Sequence, residues 1–245
     1  MSVSGRLVII AGATSASGRA AARVLRDAGA RVVAVGRDAG RLRDLLDSLE
    51  TVPTSSRRGA PASPLAAAAG SVRTEVCDLG DETAVAALAE RIHATDGPVD
   101  GVLHLVGGWR GGGGLAGQTD ADFRFLEGSL TALRHVSRAF DGDLRASGAG
   151  RLAVVSSTAV ARPLAGGANY AAVKAATEAW ARAVAQGFAK DARDSGTPQA
   201  AASVIFRVKS LDGLEEALAH RFADLWIAEA ADINDTIVEL TDPSL

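Results

Sequence analysis

Tyr170 and Lys174 stand four residues apart in Asn169-Tyr170-Ala171-Ala172-Val173-Lys174, and Ser156-Ser157 lies shortly upstream. On a helix, positions i and i+4 share a face, so the phenol and the ammonium project to the same side. A nearby ammonium favours the phenolate and lowers the phenol's pKa from its reference of ~10. A tyrosine tuned that way exchanges a proton with a substrate oxygen or nitrogen near neutral pH. An isolated match of this length more often marks an exposed helix with a solvated lysine, so its setting decides.

The setting begins at Leu7-Val8-Ile9-Ile10-Ala11, an apolar run that reads as a buried strand and is too short for a membrane span or a signal peptide. Gly12-Ala13-Thr14-Ser15-Ala16-Ser17-Gly18 follows, then a helical stretch that stops at Gly29. Strand, glycine turn and helix together form the context that cradles a pyrophosphate. Glycine lets the backbone approach the ligand, and the helix N-terminus offers unpaired N–H groups. Gly12, Thr14, Ser15, Ala16, Ser17 and Gly18 are the candidates here; a plain strand-to-helix turn is the alternative. A second strand, residues 31–36, ends at Arg37. An acidic residue at such a strand end would bind a ribose 2′-hydroxyl, whereas an arginine suits a 2′-phosphate. Gly36 fills the acidic position and Arg37 comes next, so the expected cofactor is NADP(H) rather than NAD(H). A solvated arginine is the alternative reading of Arg37.

Over nearly its whole length the chain resembles the short-chain dehydrogenase/reductase family. Ala11 to Gly18 corresponds to that family's Thr-Gly-x-x-x-Gly-x-Gly, with Ala16 in place of the middle glycine. Asp78 in Val76-Cys77-Asp78-Leu79 matches the acidic residue that contacts the adenine. Ser157, Tyr170 and Lys174 match the catalytic serine, tyrosine and lysine, including the thirteen-residue step from Ser157 to Tyr170. The departures are equally specific. The family's Asn-Asn-Ala-Gly reads His104-Leu105-Val106-Gly107, and Ser129 stands where the tetrad asparagine would lie. The Pro-Gly pair after the sixth strand is missing near Phe206-Arg207-Val208, and Ile237-Val238-Glu239-Leu240 lacks the usual Asp-Gly-Gly ending. Val106-Gly107-Gly108-Trp109 followed by glycines also resembles dihydropteridine reductases, a branch that does not require the serine. The presence of Ser157 pulls back towards ordinary carbonyl reductases.

The resemblance implies an NADPH-dependent reductase acting on C=O or C=N groups. Tyr170 would donate the proton, and Lys174 would lower its pKa and bond the nicotinamide ribose. Ser157 would orient the substrate, and Ser129 would hold a water. Leu79, Val106 and Gly107 would join the cofactor contacts. It also implies a homo-oligomer, dimer or tetramer, through two long helices near 120–147 and 169–192. The drifted motifs keep two alternatives open: an NADP(H)-binding module without turnover, and a non-redox isomerase or cyclase.

The remaining sequence fits one Rossmann-like, doubly wound α/β domain over 1–245, with a parallel seven-stranded sheet and helices on both faces. Strands are expected near 6–11, 31–36, 72–77, 99–106, 151–156, 202–207 and 236–240. Helices are expected near 17–29, 38–49, 81–95, 120–147, 169–192 and 213–230. Residues 52–70, with three prolines and an alanine run, read as a flexible surface insertion. Net charge −3 argues against nucleic-acid binding. With 47% hydrophobic and 22% charged residues, the composition is ordinary for a globular protein, and no run is long enough to span a membrane. The single cysteine, Cys77, and the absence of a signal peptide point to the cytoplasm. The four histidines show no metal-ligand spacing, so no metal is expected, and His104 reads as a packing replacement for an asparagine. Residues 107–114 hold six glycines, a tryptophan for stacking and Arg110 for an anion; a linker with Trp109 packed on the body is the alternative. The short stretch after Val208 predicts an open site.

Overall fold

The computed structural model describes residues 2–50 and 70–241. The expected insertion falls almost entirely outside them. Seven strands carry the architecture: β1 Leu7–Ala11, β2 Arg31–Gly36, β3 Ser71–Val76, β4 Gly101–His104, β5 Arg151–Ser157, β6 Ala202–Val208 and β7 Thr236–Leu240. All pairs are parallel, in the order β3-β2-β1-β4-β5-β6-β7. The order reverses between β1 and β4, and ligands of open parallel sheets bind beyond the carboxyl ends at such a point.

Helices cover both faces. They are α1 Ala16–Asp27, α2 Ala39–Glu50, α3 Glu82–Thr95, α4 Asp120–Ala139, α5 Asp141–Ala146, α6 Ala168–Ser195, α7 Glu215–Asp224 and α8 Ala230–Ile233. Side chains alternate across a strand, and β1 shows the result. Val8 and Ile10 join the core under α1, α2 and α7, whereas Leu7, Ile9 and Ala11 join the core under α3 and α4. Both layers being apolar explains why the strands read as continuous hydrophobic runs rather than alternating ones.

Helix starts follow local chemistry. Ser15 caps α1 by accepting from the Gly18 amide at 3.1 Å, and Asp81 and Thr119 cap α3 and α4 in the same way. Gly196, at φ 66°, terminates α6 in the left-handed conformation.

Two expected helices are broken. The stretch 120–147 divides at Phe140, whose φ of −111° leaves the helical region. Its ring is fully buried, edge-on to His93 at 6.1 Å, and the chain re-aims there to keep it in the core. The stretch 213–230 stops at Asp224. Beyond it the buried Arg151 guanidinium collects the carbonyls of Leu225 and Ala228 at 2.9 and 3.1 Å, so these serve a side chain instead of a continuing helix. Strand β4 is also shorter than expected. The chain makes one more sheet bond, Leu105 N–H to the Ala11 carbonyl at 2.8 Å, and then leaves the sheet.

Candidate active site

A cavity of about 1010 Å³ opens beyond the carboxyl ends of β1, β4, β5 and β6. It brings together Ser15 and Ser17 from the glycine loop and α1, His104 through Trp109 after β4, Ser157 after β5, and Tyr170 and Lys174 from α6. Elements far apart in sequence thus converge at the carboxyl edge of the sheet.

The glycine loop owes its shape to two close approaches. Gly12 sits at φ 91°, and a Cβ there would meet the Val106 amide nitrogen at 2.9 Å. A Cβ at Gly18 would meet the Ala13 carbonyl oxygen at 2.5 Å. Glycine at both positions lets the loop close on itself and against the end of β4. Ala16 and Ser17 begin α1, and their amides have no acceptor among the described residues, as expected for a first turn. Free amides at a helix N-terminus, beside a cavity, suit an anionic ligand. Thr14 lies against Gly36, where a Cβ would meet its Cγ2 at 3.0 Å.

Arg37 is exposed at the end of β2 and has no partner among the described residues. The neighbouring Asp38 is already engaged: its carboxylate accepts from the Arg41 amide at 3.0 Å at the start of α2. That bond holds the Asp38 carboxyl below the usual carboxylate range. Asp78 is exposed after β3 and accepts from the Gly80 amide, while Leu79 is buried and its carbonyl bonds His135. Arg37, Asp78 and Leu79 therefore lie at the carboxyl ends of β2 and β3, off the main cavity.

At the dyad the geometry departs from the sequence expectation. Lys174 Nζ donates to the Val155 carbonyl at 2.8 Å and lies 5.8 Å from the centre of the Tyr170 ring. Burial pushes its ammonium down to about 8. Tyr170 is pushed up by burial, with the Ser157 hydroxyl pulling the other way. The expected lowering of Tyr170 by Lys174 is thus absent in this state: desolvation of the phenol dominates, and the ammonium is turned to the backbone. Ser157 is buried at the end of β5, where its oxygen accepts from the Ala159 amide at 3.2 Å and caps a short 3-10 turn, Thr158–Val160.

Ser129 is not brought to the cavity. Its hydroxyl donates to the Leu126 carbonyl at 2.7 Å, an ordinary back-bond within α4. The Ser129 carbonyl instead meets His104 Nε2 at 3.1 Å. That carbonyl can only accept, so Nε2 carries the proton and Nδ1 is a bare acceptor. Nδ1 is buried and unpartnered. Burial first, then the Lys174 charge, drive the imidazole down to about 3 despite the bond to Ser129, so it is neutral at physiological pH. His104 is a buried packing group whose Nδ1 lone pair is left without a partner among the described residues.

The glycine-rich segment is pinned. Gln118 donates to the carbonyls of Gly112, Gly114 and Gly166 and accepts from the Asn169 amide. Gly112 N–H also bonds the Gly166 carbonyl at 2.7 Å. Arg110 does not face the cavity as an anion reader; it lies over Phe125 at 3.9 Å and donates to the Trp109 carbonyl. Sequence reading missed Gln118, whose role depends on contacts 48 and 51 residues away.

It also missed the charge pair beneath the dyad. Glu178 is one turn beyond Lys174, 5% exposed, and takes both Ser156 Oγ at 2.7 Å and Arg207 in a two-pronged contact. The i, i+4, i+8 spacing of 170, 174 and 178 is visible in the sequence; the partner from β6 is not.

The short chain dehydrogenase family model matches residues 6–192. The chain belongs to the short chain dehydrogenase family. This places the dehydrogenase among the nicotinamide-dependent oxidoreductases. No curated protein matches the chain. Solved structures share its fold. A metagenomic short-chain oxidoreductase in complex with NADP is 24% identical at a TM-score of 0.79, with 99% of this chain and 100% of that one covered. The L-sorbose reductase of Gluconobacter frateurii, complexed with NADPH and L-sorbose, is 19% identical at 0.76, with 98% and 96% covered. A Pseudomonas aeruginosa short chain oxidoreductase containing an atypical catalytic center is 18% identical at 0.79, with 98% and 97% covered. At these identities the likeness speaks to the fold. Among the described residues, no helix of the dehydrogenase is long and apolar enough to cross a membrane.

Proposed function

We propose that the protein is an NADPH-dependent reductase of a C=O, or C=N, group in a small molecule. The observation that carries this is the convergence of Ser157, Tyr170 and Lys174 on one cavity with the amide-rich start of α1. The fit to a dinucleotide rests on the free amides of Ala16 and Ser17 and on a glycine loop that leaves no room for side chains at Gly12 and Gly18. Gly12, Thr14, Ser15, Ala16, Ser17 and Gly18 would hold the pyrophosphate half, Asp78 and Leu79 the adenine, and Val106, Gly107, Tyr170 and Lys174 the nicotinamide ribose. Arg37 would read a 2′-phosphate. Asp38, the nearest carboxylate, is engaged with the start of α2, which favours NADP(H) over NAD(H).

When bound, the cofactor supplies a hydride equivalent. The protein supplies position and a proton. Tyr170 is protonated at neutral pH and can donate; burial makes it a weaker acid in the empty site, and the Ser157 hydroxyl works in the opposite direction by favouring the phenolate. Ser157 is held by its own turn with its oxygen near that phenol, ready to orient the substrate atom that receives the proton. Lys174 uses one of its three donors on Val155, which leaves two for a ribose and for charge stabilisation. The protein is expected to work in the cytoplasm as a homo-oligomer formed through α4 and α6.

Titration with NADPH and NADH, followed by fluorescence, tests the reading. Tight NADPH and weak NADH binding is expected, and Arg37→Ala should remove most of the difference. No binding of either dinucleotide would overturn it.

A further inference from the structure

The cavity has a charge bias beyond the glycine loop and the dyad. Among the described residues no Asp or Glu lines it, whereas Arg162, Lys174 and Lys209 do. The chain as a whole carries 29 acids against 26 bases. An acid-free wall with three cations runs against that composition. Lys174 is committed to the dyad. Arg162 and Lys209 are both exposed and form neither a hydrogen bond nor an ion pair among the described residues.

Their placement is set by the sheet. The register of β5 and β6 pairs Ser157 with Val208. Lys209 is the next residue after Val208. Arg162 follows Ser157 by one short turn, before a second 3-10 turn at Ala165–Gly167. The two cations therefore leave neighbouring strand ends, close to the group that meets the reacting atom. The second turn is tied to the glycine-rich segment by the Gly112–Gly166 bond, so Leu164 and Trp109 line the same cavity. These two side chains are 72% and 61% exposed, an apolar surface without a cover.

We propose that the substrate is an anionic carbonyl compound, with Arg162 and Lys209 binding its carboxylate or phosphate and Trp109 and Leu164 supporting its apolar body. An anion entering the cavity breaks no existing ion pair, and its charge is worth more in a partly water-excluded cleft than on open surface. The reacting carbonyl rests on the reductase reading; the anion site does not.

Calorimetric titration of matched pairs separates the two. The probes are 4-formylbenzoate against 4-formylbenzamide, and 4-formylphenyl phosphate against 4-hydroxybenzaldehyde, each with and without saturating NADP⁺. The carboxylate or the phosphate, whichever source fits, is expected to bind about tenfold tighter than its neutral partner. The preference should fall with added salt and vanish in R162Q/K209Q, whose exposed positions leave folding intact. Equal binding within both pairs, or no binding of any probe, overturns the proposal. So does a preference that survives the double substitution. If R162Q/K209Q instead weakens NADPH binding and leaves the probe preference unchanged, the cations serve the cofactor and the proposal is also overturned. NADPH consumption with each aldehyde is recorded separately, so a failed hydride transfer does not obscure the anion result.

Discussion

Removing Glu178 should cost far more than removing a surface carboxylate, and the structure says why. Its side chain is 7% exposed and that of Arg207 is 16%. The pair shares contacts at 2.8, 3.0 and 3.1 Å, and Ser156 adds a fourth at 2.7 Å. Glu178→Ala leaves a partly exposed guanidinium with only the exposed Glu239, at 3.3 Å, as a counter-charge. Breaking a buried pair by taking one partner typically costs about 3–5 kcal/mol. Residual help from Glu239 and the partial exposure of Arg207 put the expectation below that range, at about 2 kcal/mol. Glu178→Leu with Arg207→Met removes both charges and should cost about 1 kcal/mol or less, because desolvation of the pair offsets most of its attraction. Urea unfolding followed by circular dichroism measures both, with the midpoint moving and the slope constant. The reasoning is refuted if Glu178→Ala loses less than about 1 kcal/mol, the range of a surface ion pair. It is equally refuted if the double variant is no better than the single one.

Tyr170→Phe should lower turnover by orders of magnitude while leaving NADPH affinity nearly unchanged, as stopped-flow turnover and fluorescence titration would show; near wild-type turnover would defeat the proposed proton donor. Gly18→Ala should abolish dinucleotide binding or destabilise the fold, because the added methyl would overlap the Ala13 backbone at 2.5 Å; calorimetry and thermal melting read the two outcomes. The ligand-free protein should gain stability as pH rises from about 8 towards ~10.4, since the unfolded chain binds a proton at Lys174 that the folded one has released. That gain is at most about 3 kcal/mol and should be absent in Lys174→Met, as denaturant titrations across this window would show.

The fold was legible because β1, β2, β5 and β6 each hold a short apolar run and the turn after β1 carries its own chemistry. Gly12 and Gly18 announce the loop, and the spacing of Tyr170 and Lys174 survives into α6 unchanged. What stayed hidden depends on contacts between distant segments. Phe140 breaks α4 because the core holds its ring, which no local propensity encodes. Arg151 ends the α7 region through carbonyls 74 and 77 residues away. The setting of the phenol in the empty site stayed hidden for a similar reason. Spacing puts the ammonium on the tyrosine's side of α6, but only the three-dimensional structure shows that it turns to Val155 and that burial outweighs it.

The Gln118 amide changes what a chain of glycines means for this molecule. Six glycines in eight residues would ordinarily make a segment expensive to order, since each has the most backbone freedom to lose. A single side chain offsets part of that cost, sharing its two N–H groups among three carbonyls and accepting from the first turn of the tyrosine helix. The segment's fixed shape then owes little to its other side chains. Trp109, the one large apolar group projecting from it, forms none of the Gln118 bonds, although its ring lies over Gly111. Substitutions at position 109 should therefore change what the cavity accepts while leaving the bonds from Gln118 to the tyrosine helix in place.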